Sequence, residues 1–419
     1  MNCSRVEKLF AVFSLILFTQ PFLPLVMRNG GFSIDTSPLS ADSNPLQQGL
    51  FLAVYAVAFV LLVKRRSLEW ATKDKLMLLL VVVAVISISW SEDPTTTLKR
   101  VLALLGTVVV GIYLASNYSF KDLIKLLAWS LGLVAVLSIG VALLAPSYGI
   151  MSDLSPGSWQ GIYTHKNILG RIMALGAISF FLLATTATKH RLIGWGGFLL
   201  LTLVVIKSHS LTALLALVAV LALFPAFMAM RRRPVLIPIV IAVCVALGSA
   251  TLWLSDSTDD LARALNRDVT FSGRVDLWQS AALVIGKSPW LGHGYGTSWV
   301  TGGEDATTDI AKFSEWNAPD AHDGFLTIAL DLGVSGLALF VVGYAVTARR
   351  AFVRFRVDQT IEALWPLLFL CFLLLTNLTE SMFLRYNSID WTLYVATVLL
   401  LAQQGNEPTR DRQMSNHLR

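Results

Sequence analysis

Apolar runs separated by short polar breaks fill most of this 419-residue chain. Most approach the roughly 20 residues that an α-helix needs to cross a bilayer core. Taken in order, they predict spans at Leu9–Val26, Gly49–Val63, Leu76–Ser89, Leu98–Ser116, Leu123–Ala145, Asn167–Ala187, Leu192–Ile206, Leu211–Met230, Val235–Leu254, Phe325–Thr347, Ile361–Asn377 and Ile389–Ala402. The expected fold is an all-α integral membrane protein of about twelve transmembrane helices, with the count open by one or two because some runs are short. One stretch breaks the pattern. Residues 255–324 begin SDSTDDLARALNRDVTFSGRVDLW, pass through PWLGHGYG and end in APDAHDGFL. Lipid offers no hydrogen-bond partners, so a polar insertion of this size lies outside the bilayer. The chain therefore divides into spans and short loops over 1–254, a large loop with short helices over 255–324, three spans over 325–402, and a tail over 403–419.

Composition agrees: 55% of residues are hydrophobic, 14% are charged and the mean hydropathy is +0.65, whereas soluble domains carry about 25% charged residues. Lys and Arg set the orientation. Most of the 33 collect in the N-terminal MNCSRVEK, in KRRSLEWATKDK (64–75), the 117–125 turn, TKHR (188–191), RRR (231–233), ARRAFVRFR (348–356) and the tail. The positive-inside rule makes that side, with both termini, cytoplasmic and puts the 255–324 loop outside. Acidic and basic residues are mixed in the loop, so the net +6 reflects topology and gives no sign of nucleic-acid binding. The first span reads as a retained anchor, since FTQPFLPLVMRNGG offers no small-residue cleavage site. Cys3, Cys244 and Cys371 give neither a disulfide pattern nor metal-ligand spacing.

Four outer segments hold polar residues that membrane placement makes costly. In SWSEDPTTTLKR (89–100), Lys99 and Arg100 enter the start of a span, either snorkelling to the interface or facing a polar interior. In GSWQGIYTHKNILGR (157–171), His165 and Lys166 sit at the outer end of a span and Arg171 lies about one turn deeper. Lys166 can snorkel; an Arg at that depth usually faces a protein interior or a water-filled path. His209 in KSHSLTALL is a turn residue that solvent can satisfy. Within the large loop, SGRVDLWQSAALVIGKSPWLG carries Val275, Leu277, Trp278, Ala281, Ala282 and Val284 at mostly helical spacing. Such a helix can lie on the membrane surface with Trp278 and Trp290 at headgroup level. Arg274 near its N-terminus opposes the helix dipole, so it needs an anionic partner, either a ligand or the nearby Asp276.

GHGYG (292–296) lacks the spacing of a phosphate-binding loop, so its glycines serve a turn or a close approach. His322 in DAHDGFL stands at a membrane boundary, with Asp320 or Asp323 able to orient it. Histidine is the usual general base near neutral pH. No GxSxG elbow, HExxH or Walker motif occurs. Several cations at an outer cavity suit a substrate that is both lipidic and multiply anionic, such as a polyprenyl diphosphate-linked sugar. Arginines bind diphosphate oxygens bidentately and stabilise the charge that grows as a glycosyl bond breaks.

The series GIYTHKNILGR, SGRVDLW, PWLGHGYG, AHDGFL followed by DLGVSGLALF, and NLTES (377–381) resembles the motifs of the O-antigen ligase and Wzy-type polymerase superfamily. WSEDPTTTLKR and GSWQGIYTHKN look most like its ExoQ-like exopolysaccharide-polymerase branch. The resemblance runs from about Trp90 to Ser381. It implies a GT-C-like multispanning glycosyltransferase of the bacterial inner membrane, facing the periplasm, that uses no metal or other cofactor and inverts the sugar on transfer from undecaprenyl diphosphate. By position, His322 matches a base for the acceptor hydroxyl, Arg274 and Arg171 match diphosphate-binding arginines, and Glu380 matches an orienting acid. Lys166, His165, Arg100 and Tyr295 stand with Glu380 as substrate-binding candidates. This chain has Asp323 where the family often has Asn.

Partners implied are an undecaprenyl diphosphate-linked oligosaccharide and membrane lipid, with room for a chain-length regulator. A ligase that moves finished glycan to lipid A core would use the same donor motifs. A lipid-linked sugar transporter fits less well, because the chain shows no internal repeat and its loop is lopsided between halves. Replacing Arg274, Arg171 or His322 by Ala is expected to abolish product formation while the protein still inserts. Losses of this type are on the order of 10²–10³ in rate. Near-normal turnover in His322→Ala would remove the general-base role.

Overall fold

The computed structural model describes residues 4–21, 45–152, 155–186, 191–232, 273–299, 310 and 320–405. Twelve principal helices occur among them: α1 (Arg5–Phe18), α2 (Pro45–Lys64), α3 (Lys75–Ile86), α4 (Pro94–Asn117), α5 (Phe120–Leu144), α6 (Lys166–Thr186), α7 (Arg191–Lys207), α8 (Leu211–Arg232), α9 (Gly273–Lys287), α10 (Gly324–Val357), α11 (Trp365–Asn377) and α12 (Ile389–Gly405). No strand occurs among the described residues, only an isolated bridge between Ile150 and Trp159. Six of these helices are long and apolar enough to cross a membrane: α2, α4, α5, α6, α8 and α10. α3, α11 and α12 are shorter apolar helices. The protein is a multi-pass, all-helical membrane protein. The predicted span Val235–Leu254 and the loop residues 255–272 lie outside the described residues.

Helix starts follow local chemistry. α1 begins at a capping box, with Ser4 accepting from the Glu7 amide and Glu7 bonding back to Ser4. It ends at Phe18, earlier than the predicted run, with Gln20 in left-handed backbone before Pro21. Asp74, Asp93 and Ser119 cap α3, α4 and α5. Side chains facing lipid remain exposed, as along α2 at Leu52, Val57, Phe59, Val60 and Val63, while Phe51, Val54, Ala58 and Leu62 pack inward. α6 is the most enclosed of the long helices and packs against α5, α7 and α8; α12 lies along α4.

α10 differs from the span predicted at Phe325–Thr347. It continues for a further helical stretch through ARRAFVRFR to Val357, because Ala351 and Phe355 are buried and Arg350 pairs with Asp74. Arg231 closes its C-terminal end, donating to the carbonyls of Asp358 (3.1 Å), Gln359 (2.8 Å) and Thr360 (2.7 Å).

α10 is also broken at Gly333, whose φ of 68° and ψ of −173° only glycine adopts readily. A continuous helix would bond the amides of residues 334 and 335 to the carbonyls of 330 and 331. Here the segment PWLGHG supplies all four partners. The amide of Val334 donates to the Pro289 carbonyl (2.7 Å) and that of Ser335 to Trp290 (3.4 Å). His293 and Gly294 donate to the carbonyls of Leu330 (2.9 Å) and Asp331 (3.0 Å). This resolves the role of the glycine-rich segment as a turn that inserts into a helix break.

α9 forms where the amphipathic pattern predicted a helix, but its apolar face is covered by protein. Leu277, Ala281 and Val284 pack with Leu330, Ala321 and Ile310, and the half-buried Trp278 donates its indole N–H to the Ala321 carbonyl (2.9 Å). The Trp278 indole is thus engaged with protein, whereas Trp290 is 72% exposed. A Cβ at residue 333 would lie 2.3 Å from the Trp290 carbonyl. Gly333→Ala is expected to lower the thermal midpoint in detergent, with the backbone strain alone worth about 1–3 kcal/mol. Gly140→Ala in α5, where a Cβ meets nothing within 4 Å, serves as the control and should not lower it.

Candidate active site

The loop between α11 and α12, residues 378–388, is where the polar motifs meet. Asn377 latches it: its Oδ1 accepts the amides of Met382 and Phe383 (2.8 Å each) and its Nδ2 donates to the Leu373 carbonyl (2.8 Å). Gly324, the glycine of AHDGFL, lies against the same Asn377; a Cβ there would be 2.3 Å from Oδ1. The loop thus docks on the start of α10, and Thr327 Oγ1 donates to Ser381 Oγ (2.9 Å). Beneath it Phe325, Phe340, Phe383, Trp391 and Tyr394 form a contiguous aromatic floor.

His322 sits in left-handed backbone at φ 48°. Asp320 fixes that turn, with Oδ1 accepting the His322 backbone N–H (2.9 Å) and facing its Nδ1 at 3.6 Å. Asp320 Oδ2 accepts from Arg385 Nη1 (3.2 Å). Burial alone would raise this carboxyl, but the charges of His322 and Arg385 and their hydrogen bonds outweigh it and hold Asp320 below the usual carboxylate range. Asp323 does not face the imidazole. It caps α10, accepting from the amides of Phe325 and Leu326 (2.8 Å each), and burial raises its carboxyl. Of the two acids adjacent to His322 in sequence, Asp320 is the one in contact.

The start of α6 meets the same loop from the other side. His165 Nδ1 accepts the Asn167 amide (3.2 Å), and Lys166 Nζ donates to Ser155 Oγ (2.7 Å). Asn167 Nδ2 donates to Glu380 Oε1 (3.2 Å), which joins the HKN and NLTES motifs. One turn deeper, Arg171 pairs with Asp390 at the start of α12. Asp390 is fully enclosed and is further held by Ser388, whose Oγ donates to Oδ2 (3.3 Å). The sequence reading of Arg171 as facing a protein interior is correct; its partner, Asp390, was not anticipated.

The third approach is through GHGYG. Tyr295 donates its hydroxyl to the Leu384 carbonyl (2.6 Å) and its amide to Ser87 Oγ (3.0 Å). Arg100, only 6% exposed, donates Nη1 to the Gly296 carbonyl and lies 6.0 Å from the Tyr386 ring. His293 Nδ1 lies 2.5 Å from Glu92 Oε1 and its Nε2 lies 3.1 Å from the Val284 carbonyl. Ser298 donates to Asp331 Oδ1 (2.8 Å). Arg100 and Tyr295 therefore hold the loop segment against the bundle, beside the 378–388 loop. Arg274 lies in the first turn of α9; its side chain lies outside the described residues. No cluster of three or more His, Cys, Asp or Glu able to hold a metal occurs among the described residues.

Arg385 and Asp390 were not singled out in the sequence. The available signal was the run FLRYNSID between two apolar spans, since ionisable residues at membrane depth pair or face polar cavities. Arg171→Ala leaves Asp390 as an uncompensated buried charge, a change that typically costs about 3–5 kcal/mol. The variant should show a large drop in thermal midpoint, and Arg171→Met combined with Asp390→Leu should recover most of it. Turnover measured in that double variant then reports the role of the guanidinium apart from folding.

Residues 196–341 match the sequence model of the O-antigen ligase family. The stretch runs from within α7 past the break in α10 and contains His322, Arg274 and Tyr295. The chain is also 26% identical over 270 residues to the exopolysaccharide production protein ExoQ of Rhizobium meliloti (strain 1021). That alignment covers 62% of this chain and 61% of the relative, so the chain spans about three fifths of the relative's length. Both comparisons support an O-antigen ligase and ExoQ-like family for this multi-pass membrane protein.

Proposed function

We propose that this protein is a membrane polysaccharide polymerase that transfers a glycan from undecaprenyl diphosphate to a sugar hydroxyl of another lipid-linked repeat unit. The observation that carries the reading is that Glu380 and Arg385 of the 378–388 loop join Asn167 of α6 and, through Asp320, His322, with the Arg171–Asp390 pair just beyond the loop's end. A substrate with a prenyl tail and a diphosphate requires apolar surface and fixed polar groups side by side, and this arrangement suits that requirement.

In this reading His322 takes the proton from the acceptor hydroxyl. The freed oxygen attacks the anomeric carbon, and the bond from that carbon to the diphosphate oxygen breaks. The electron pair stays on the diphosphate, which departs on its lipid. Attack and departure on opposite faces invert the configuration. The diphosphate is already a leaving group, so the proposed transfer needs no nucleotide. Asp320 holds His322 in its left-handed turn and faces its Nδ1. Arg274 is assigned to the diphosphate by its place in SGRVDLW, and Arg171 by its depth, in company with Asp390. Lys166 and His165 line the approach from α6, Glu380 orients the acceptor sugar, and Arg100 and Tyr295 shape the wall by holding the loop. The proposed setting is the bacterial inner membrane with this site facing the periplasm and both termini cytoplasmic; a chain-length regulator is a compatible partner.

Ligation to lipid A core is the second reading, favoured by the family description for residues 196–341. Polymerisation is preferred because the longer of the two matches, over 270 residues, is to an exopolysaccharide production protein. Reconstitution with lipid-linked repeat units distinguishes them. A ladder of product lengths without lipid A is the expected result, and strict dependence on lipid A core would overturn it. Movement of labelled lipid-linked sugar across liposomes with no lengthening would instead favour a transporter.

A further inference from the structure

We infer that Arg385 is a binding residue for the anionic diphosphate, with its guanidinium held beside His322 by the shared carboxylate of Asp320. Three observations carry this. First, one carboxylate bridges both groups: Oδ2 receives Arg385 Nη1 at 3.2 Å, while Oδ1 receives the His322 backbone N–H at 2.9 Å and faces its imidazole. The distance between cation and imidazole is therefore set by one buried acid. Second, the bonds of Arg385 to described residues all leave from Nη1, to Asp320 and to the Ser381 carbonyl at 3.2 Å. The edge formed by Nε–H and Nη2–H, whose spacing matches two oxygens of a phosphate, has no partner among the described residues. Third, Arg385 is the more exposed of the two arginines. Its side chain is 21% exposed, against 9% for Arg171, whose partner Asp390 is fully enclosed.

The charges argue the same way. Arg171 and Asp390 neutralise one another in isolation. Asp320 is shared, with Oδ2 on Arg385 and Oδ1 on the His322 backbone N–H, so Arg385 is not locked in a closed one-to-one pair. An anion arriving there gains a charge-assisted pair of hydrogen bonds without displacing Arg385 from its anchor, and the guanidinium need not reorganise. The identity of the anion as a lipid diphosphate rests on the function proposed above; the presence of an anion-binding edge beside His322 does not.

The test is equilibrium binding of undecaprenyl diphosphate to the full-length protein in detergent, with undecaprenol as the uncharged control and phosphatidylglycerol as a competing lipid anion. Arg385→Ala should weaken binding of the diphosphate by roughly tenfold to a hundredfold, the range for a hydrogen bond to a charged group, and leave undecaprenol unchanged. Arg385→Lys, which keeps the charge and loses the fork, should fall between. Diphosphate affinity within about twofold of wild type in Arg385→Ala, at an unchanged thermal midpoint, would overturn the assignment. Equal loss of undecaprenol binding, or equally strong competition by phosphatidylglycerol, would overturn it as well. If Arg385→Ala does not fold, Arg385→Gln is judged by the same criteria, since its amide can still donate to Asp320. Binding needs no turnover. Absence of product ladders with Arg385-dependent binding intact would therefore count against the polymerase reading alone.

Discussion

The exchange of backbone hydrogen bonds at Gly333 is the constraint on which this end of the molecule depends. A helix interrupted near a bilayer leaves carbonyls and amides that lipid cannot satisfy. α10 resolves this by accepting PWLGHG into the gap, so that residues 289–294 and 330–335 satisfy each other. The consequence reaches well beyond the break. Once Pro289, Trp290, His293 and Gly294 are fixed, Tyr295 is delivered to Leu384 and Ser87, and Gly296 to Arg100. α9, immediately before, is brought down onto Leu330 and Ala321, and Ala321 is the residue before His322. A segment outside the predicted spans thereby becomes part of the bundle's wall.

The 378–388 loop is the complementary element. Beside its buried Met382, Phe383 and Leu384, it is fixed by polar contacts from several elements: Asn377 from α11, Asn167 from α6, and Tyr295 from the inserted segment. Polar groups this enclosed are tolerated only when nearly all are paired, because each unmet donor or acceptor costs about 1–3 kcal/mol. Such a network specifies one arrangement more sharply than an apolar contact of equal area could. It suits a site that must hold a histidine and several cations in fixed relation.

Much of this was legible in the sequence, for identifiable reasons. Long apolar runs report membrane helices directly, and the amphipathic spacing of Leu277, Trp278, Ala281 and Val284 located α9. The depth of Arg171 was readable because a charge one turn inside a span is costly and needs a reason. What the sequence withheld was long-range. LDLGVSG falls inside the predicted span Phe325–Thr347, and nothing local announces that the chain breaks at Gly333. The partner of Arg171 is 219 residues away in sequence, and no periodicity links Arg171 to Asp390. The choice between Asp320 and Asp323 was undecidable from adjacency. It turns on which carboxylate the helix N-terminus captures, and α10 takes Asp323 as its cap.

That capture has a chemical consequence. A carboxylate that accepts two amides at a helix start is held to the backbone and cannot follow a neighbouring imidazole. Asp320 sits before the turn, where the left-handed residue 322 folds the chain back and brings the His322 amide and ring onto the same oxygen. The two acids of DAHDGFL thus divide two tasks, starting a helix and orienting a histidine. Exchanging their roles would require the helix to begin three residues earlier, which would carry His322 out of its turn and away from Arg385. The spacing D-x-H-D is therefore a statement about geometry: one acid for the imidazole, one for the helix, and a single strained residue between them that keeps the two apart.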